Sequence, residues 1–266
     1  CRRHPRCRRE SQGMTVYGFL NMRALMPALL LASGAALAAS HPASAGDSAQ
    51  LQVIGYSADG KVFGFEEYGI QDGSGFAYSH IFLIDTDTDK FLAGTPIKVL
   101  VEDEESLGKI RKLARSKAQP LIDRHQLDND PGVLAAYNPV SEADSDPHTL
   151  RYYPYPSNPP RSQTYTLKLT EKPLPAPKSC LNMVGTYSGF SLAFSEVAGE
   201  ATAQQIYEEK QVPASRNCPN GYRLAAIVSS EDADAPTMAM IQVSTFGFEG
   251  NDERWIAIPL QPVGRP

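Results

Sequence analysis

The chain has 266 residues, with 25 Lys+Arg against 30 Asp+Glu and a formal net charge of −5, and that length is enough for a proper hydrophobic core. Residues 1–45 hold six of the cations and one of the anions, which leaves 19 against 29 beyond them, a net charge of −10. So acidic a surface excludes a basic groove for phosphate backbones, and nucleic acid is not an expected partner.

In chain order, residues 1–21 carry Cys1, Cys7 and five Arg ahead of Met22, and are expected to be an upstream segment with no structure of its own. Met22-Arg23, the apolar run 24–39 and the small-residue site Ala43-Ser44-Ala45 read as a signal peptide over 22–45. The mature chain would start at Gly46, keep no transmembrane segment, and work in an exported setting, periplasmic or secreted. Residues 46–262 are expected to form a single β-rich domain, with 46–50 a polar lead-in that frays.

Residues 53–57 and 62–67 flank the turn Ala58-Asp59-Gly60. Asp-Gly between apolar runs is a hairpin signal, because Gly takes positive φ without steric cost. The period of two puts Val62, Gly64 and Glu66 on one face, and Phe63, Phe65 and Glu67 on the other. After a loop at 71–75, residues 78–85 are apolar on both faces, which places that strand inside a sheet. Asp85-Thr86-Asp87-Thr88-Asp89 resembles a calcium loop, but Lys90 and Pro96 stand where its Gly and Glu belong. It is an acidic turn, and no metal site is expected.

Residues 91–93 and 97–101 extend the sheet. The apolar positions Leu107, Ile110, Leu113/Ala114, Ala118 and Leu121/Ile122 then recur at helical spacing, predicting one amphipathic helix near 103–119 with a separate turn after Pro120. Pro120 is expected to end or kink it, since it removes a hydrogen bond. Ser106-Leu107-Gly108-Lys109 matches S-x-x-K, but neither S-D-N nor K-T-G follows, so the match is chance.

Residues 133–137, 149–153 and 165–170 read as strands. The Pro-dense run from Tyr152 to Pro160 favours an extended chain, making Tyr152, Tyr153 and Tyr155 candidate binding residues on an exposed loop. The alternative is that these rings pack back on the sheet. Residues 171–178 (EKPLPAPK) are a candidate seam between two halves. Beyond them, Gly185, Phe194 and Glu196 fall where Gly55, Phe65 and Glu67 fall in the first hairpin, an echo that hints at duplication. Residues 206–207, 221–229, 238–245 and 255–260 complete an antiparallel meander. The expected fold is therefore mostly β, built of antiparallel sheets with propeller-like or sandwich-like hairpins and one helix.

Beyond residue 45 only Cys180 and Cys218 remain, an even pair in an exported chain, which reads as one disulfide. His80, His125 and His148 have no zinc spacing, and H-E-x-x-H, G-x-S-x-G, the phosphate loop and G-x-G-x-x-G are absent, so no cofactor is expected. Glu66, Glu67, Asp72 and His80 are the densest ionisable cluster near a loop and the candidate catalytic residues. Glu66 and Glu67 point to opposite faces and cannot share one acid–base site. Hydrogen bonding across the Asp72 loop is the alternative role for the cluster.

Two resemblances follow from quoted residues. YSADGK with Phe63-Gly64-Phe65 is similar to one strand pair of TolB-type β-propeller repeats, with Ala58 in place of Pro and Gly64 in place of Ala; it supports a hairpin. VIGYSADGKVFGFEEYGIQDGSGFAYSHIFLIDTDTD, PASRNCPNGYRL and FGFEGNDERWIAIP together resemble the domain of unknown function 2259 family of predicted secreted bacterial proteins. That resemblance implies export and no particular activity. The expected role is an envelope binding or interaction module with an unidentified protein or ligand partner. The alternative is a periplasmic hydrolase of envelope material using the carboxylate–His cluster, and whether the protein is an enzyme stays open at this point.

Overall fold

The computed structural model describes residues 46–260, apart from 156, 181–185 and 233. The expected signal peptide and its cleavage site lie outside the described residues, as does Gly185 of the hairpin echo.

The Asp-Gly turn folds β1 (Gln50–Tyr56) back on β2 (Val62–Ile70). Gly60 takes φ +67° there, and its N–H donates to the Ser57 carbonyl. β3 (Ala77–Asp85) pairs with β2 in unbroken register and receives β4 (Lys90–Phe91) and β5 (Ile97–Leu100) on its other edge. β3 is thus internal to the first sheet, as its two apolar faces require.

The only α-helix among the described residues, α1 (Leu107–His125), follows. It starts later than the acidic run 103–105 and does not stop at Pro120, which corrects the expected span of 103–119. Pro120 and Ser116, whose carbonyl loses its N–H partner, are both on the solvent side, so water can satisfy that oxygen. The buried stripe Ile110, Ala114, Ala118 and Ile122 continues through the Pro. The helix ends at Gln126 in the left-handed region, φ +52°.

The remaining strands build two more sheets. β6 (Val133–Tyr137), β11 (Pro219–Ser229), β12 (Thr237–Phe246) and β13 (Asn251–Leu260) run in the order β13-β12-β11-β6. β7 (Thr149–Tyr152), β8 (Tyr165–Pro173), β9 (Ser188–Val197) and β10 (Glu200–Glu208) form the third, in the order β10-β9-β8-β7. Every strand ladder is antiparallel. Ladders cross the 171–178 stretch: β8 pairs with β9, and β6 with β11.

Alternation along each strand stacks these elements into four layers. One face of the first sheet (Ile81, Leu83, Val99) buries the apolar stripe of α1. Its other face (Phe63, Phe65, Phe82) packs on Met238, Met240 and Ala257 of the second sheet. The second sheet's far face (Leu224, Ile241, Ile258) meets Leu167, Phe190 and Leu192 of the third. Each large side chain so buried contributes about 1.5–3 kcal/mol of transfer free energy. The arrangement is the sandwich-like one of the two expected forms.

Two connections fix the layers. Gly55 sits at a bulge in β1 with φ +146°, and a Cβ there would stand 2.0 Å from the Leu127 carbonyl oxygen. Near the start of the described chain, the segment expected to fray is pinned: Asp47 and Ala49 are buried, and Ser48 bridges to Glu253 of β13.

Candidate functional site

The strand register decides where each candidate residue goes. Glu66 and Glu67 do face opposite ways. Glu66 points to α1, where Arg111 clamps it bidentately at 2.9 and 2.8 Å and the Ser79 hydroxyl donates at 2.8 Å. The Arg111 guanidinium also lies 3.6 Å from the Tyr68 ring centroid. This carboxylate ties helix to sheet.

Glu67 points toward the second sheet and meets His80, its register partner on β3. Its Oε1 lies 2.9 Å from His80 Nδ1, and its Oε2 accepts the backbone N–H of Trp255 at 2.8 Å. Glu67 is buried, while His80 keeps a partly open side. The structure therefore brings two of the four candidates together and separates the others. Asp72 stays in the β2–β3 loop, where its carboxylate accepts the Glu249 N–H at 3.1 Å and joins two loop tips.

Glu67 and His80 line a cleft of about 670 Å³ where the three sheets meet. The first sheet supplies Phe82 and Lys98 beside them, with Asp89, Lys90 and Phe91 nearby. The second sheet supplies Val243, Arg254, Trp255 and Ala257. Tyr207 and residues 213–217 form the third wall. The interior is chiefly aromatic and aliphatic, with charged groups set into its walls.

Long-range pairs hold those walls. Arg254 Nη2 reaches Asp47 Oδ2 at 2.7 Å, and the Tyr78 hydroxyl donates to Asp47 Oδ1 at 2.9 Å. Burial pushes the Asp47 carboxyl above its usual range, against the opposing pull of Arg254. Opposite, Arg216 Nε meets the buried Glu209 at 3.2 Å, and burial likewise raises Glu209 although Arg216 draws it down. Cys218 follows this wall directly and is bonded to Cys180, with Cα atoms 5.8 Å apart. Asp89 is exposed as a residue, yet it faces the wall of Tyr207 and Arg216. Partial dehydration there pushes it up to about 6, with Arg216 pulling the other way.

The Tyr loop needs one correction. Tyr152 is the last residue of β7 and is buried against the third sheet's core, its ring 6.1 Å from that of Tyr165. Alternation turns it inward; Tyr153 and Tyr155 remain 39% and 41% exposed. An exposed surface of all three rings does not exist.

Among the described residues, no three His, Cys, Asp or Glu side chains are grouped to hold a metal ion, and no helix is long and apolar enough to cross a membrane. The residues that sequence reasoning missed are Asp47, Arg254, Arg216 and Lys98. Asp47 and Arg254 are 207 positions apart, and nothing local marks them as partners. Lys98 was findable: it sits in a strand already read from the sequence and needed only the β3–β5 register.

Searches among curated proteins and among solved structures find no match. A family model described as "Predicted secreted protein (DUF2259)" matches residues 64–261, a span that holds Glu67, His80, Trp255 and both bonded cysteines. The match covers most of the chain, and the protein belongs to this family of predicted secreted proteins.

Proposed function

We propose that the protein is an exported binding module whose cleft takes up a small, largely apolar molecule. The cleft carries this reading: its volume of about 670 Å³ falls in the range of roughly 300–1,000 Å³ that small-molecule sites occupy. Its apolar lining offers burial to a ligand, and a few polar groups converge on it. Hydrolysis through the carboxylate–His cluster is the weaker reading, because Glu66 is held by Arg111 and Asp72 by the Glu249 N–H, away from His80, and both oxygens of Glu67, which remains beside it, are already engaged by N–H groups. The family's description and the Cys180–Cys218 bond support work in an oxidising compartment, which in this reading is the periplasm.

Titration with N-phenyl-1-naphthylamine, an uncharged dye that brightens in apolar surroundings, tests the reading. The folded protein should bind it saturably at one site. Phe91→Asp, at a partly exposed lining position on the short strand β4, should weaken binding at least about tenfold by placing a charge in the apolar site while leaving the circular dichroism spectrum unchanged. No saturable binding, or equal binding by the variant, would overturn it.

A further inference from the structure

One side of the cleft is a row of side chains crossing the first sheet. Glu67 on β2, His80 on β3 and Lys98 on β5 are direct register partners, so they share a face on adjacent strands. Strands lie roughly 4.8 Å apart, which puts the three side chains within reach of one bound group.

The row has a defined polarity. Both Glu67 oxygens accept N–H groups, one from Trp255 and one from the His80 ring. A ring nitrogen held against a carboxylate carries the hydrogen, so Nδ1 is the protonated nitrogen of neutral His80. Nε2 is then a bare lone pair, and it has no hydrogen-bond partner among the described residues. Adding a proton at Nε2 turns it into a donor beside the Lys98 ammonium. Lys98 and Lys90 take part in no ion pair among the described residues, whereas Arg254 and Arg216 are matched by Asp47 and Glu209. Cations with no carboxylate at salt-bridge distance, beside an apolar cavity, attract a ligand of opposite charge against the opposing field of Glu67 and Asp89 in the same lining.

We propose that His80 and Lys98 form an oxyanion subsite, so that the ligand is an apolar molecule ending in a carboxylate, sulfonate or phosphate and is captured with uptake of a proton at His80 Nε2. This rests on the cleft being a ligand site and adds the ligand's charge and its coupling to pH. Other titratable or charged groups facing the row are Tyr78 on β3, Arg254 on β13, Asp89 and Lys90 beside β4, and Tyr207 and Arg216 on the opposite wall. Of these, Asp89 would also favour anion binding on acidification, by losing its charge, and its contribution has to be separated.

Two dyes with the same body make the test: neutral N-phenyl-1-naphthylamine, and 8-anilinonaphthalene-1-sulfonate, which adds a permanently charged sulfonate. Titrations run across the full pH range over which the near-ultraviolet circular dichroism is unchanged. The sulfonate should bind about tenfold tighter than the neutral dye at the acid end, as charge-assisted hydrogen bonds allow, and the advantage should shrink toward the alkaline end. Lys98→Ala should reduce sulfonate binding by a clearly larger factor than it changes binding of the neutral dye. His80→Gln, which keeps a hydrogen-bond partner for Glu67, should flatten the pH dependence; Asp89→Asn should leave most of it. If both dyes bind alike, or the pH dependence survives His80→Gln, the subsite is wrong while the cleft reading stands. If the neutral dye does not bind, the cleft reading fails and the subsite with it.

Discussion

Glu67 is buried because two N–H groups need it. Its Trp255 contact joins the first sheet to β13, where no strand pairing between them could satisfy that N–H. Glu67→Ala would leave the Trp255 N–H buried without a partner, at a cost of about 1–3 kcal/mol. Urea denaturation of the variant checks this, and a loss below about 0.5 kcal/mol, less than the ordinary penalty of an orphaned donor, would contradict it. Asp89 behaves differently. Its folded pKa of about 6 lies above the ordinary value of 3.8, so the folded state holds its proton more tightly than the unfolded chain. Stability from this group is therefore fully present below about pH 4 and declines as pH rises toward 6. Asp89→Asn should raise the melting temperature at pH 7 relative to the parent, with the gap closing at pH 4. The gain is small, because the residue keeps contact with water. A gap that widens on acidification would reverse the assignment. The opposite facing of Glu66 and Glu67 was legible from strand period alone. Which partner each would find was not, since Arg111 comes from the helix and Trp255 from the last strand.

At the scale of elements, pattern was most informative where a segment's two faces differ. The β1–β2 turn was readable because Asp59-Gly60 has a local stereochemical preference, and the core stripe of α1 because apolar residues recur at helical spacing. Pro120 misled for a physical reason: its local cost is real, but tertiary burial of Ile122 beyond it holds the last turn in place. Pro120→Ala should restore the N–H to the Ser116 carbonyl and stabilise the protein by about 1–3 kcal/mol, less a fraction for the freer unfolded chain. A thermal or urea melt reads the change, and destabilisation would show that the helix geometry depends on the Pro. β10 was read only as residues 206–207, because its pattern is mostly exposed and lacks an apolar face. Tyr152 was misplaced because it falls both in the strand 149–153 and in the Pro-dense run after it, and it is the alternation of the strand that turns its ring inward.

For the whole molecule, strand content and antiparallel pairing were visible, but the stacking of three sheets was not. That order depends on pairings such as β6 with β11 and on contacts such as Tyr56 to the Val228 carbonyl, 172 positions away. The cleft exists only at that level, which is why one wall was seen as a cluster and the other two went unread. The Cys180–Cys218 bond closes a 38-residue separation, which on the chain-entropy model stabilises by about 4 kcal/mol. It also anchors residues 213–217 at the cleft. The Cys180→Ser/Cys218→Ser variant should therefore unfold at lower urea and bind the neutral dye more weakly even where it is still folded. Unchanged affinity in the folded variant would separate the bond from the site. The chain's only Trp, Trp255, lines the same cleft, and its fluorescence provides the most direct measurement. Saturable energy transfer from Trp255 to N-phenyl-1-naphthylamine, one dye per native chain and abolished by Phe91→Asp, is the result expected of a binding cleft. Trp255 emission that stays unquenched while the native protein is titrated with the dye would contradict it.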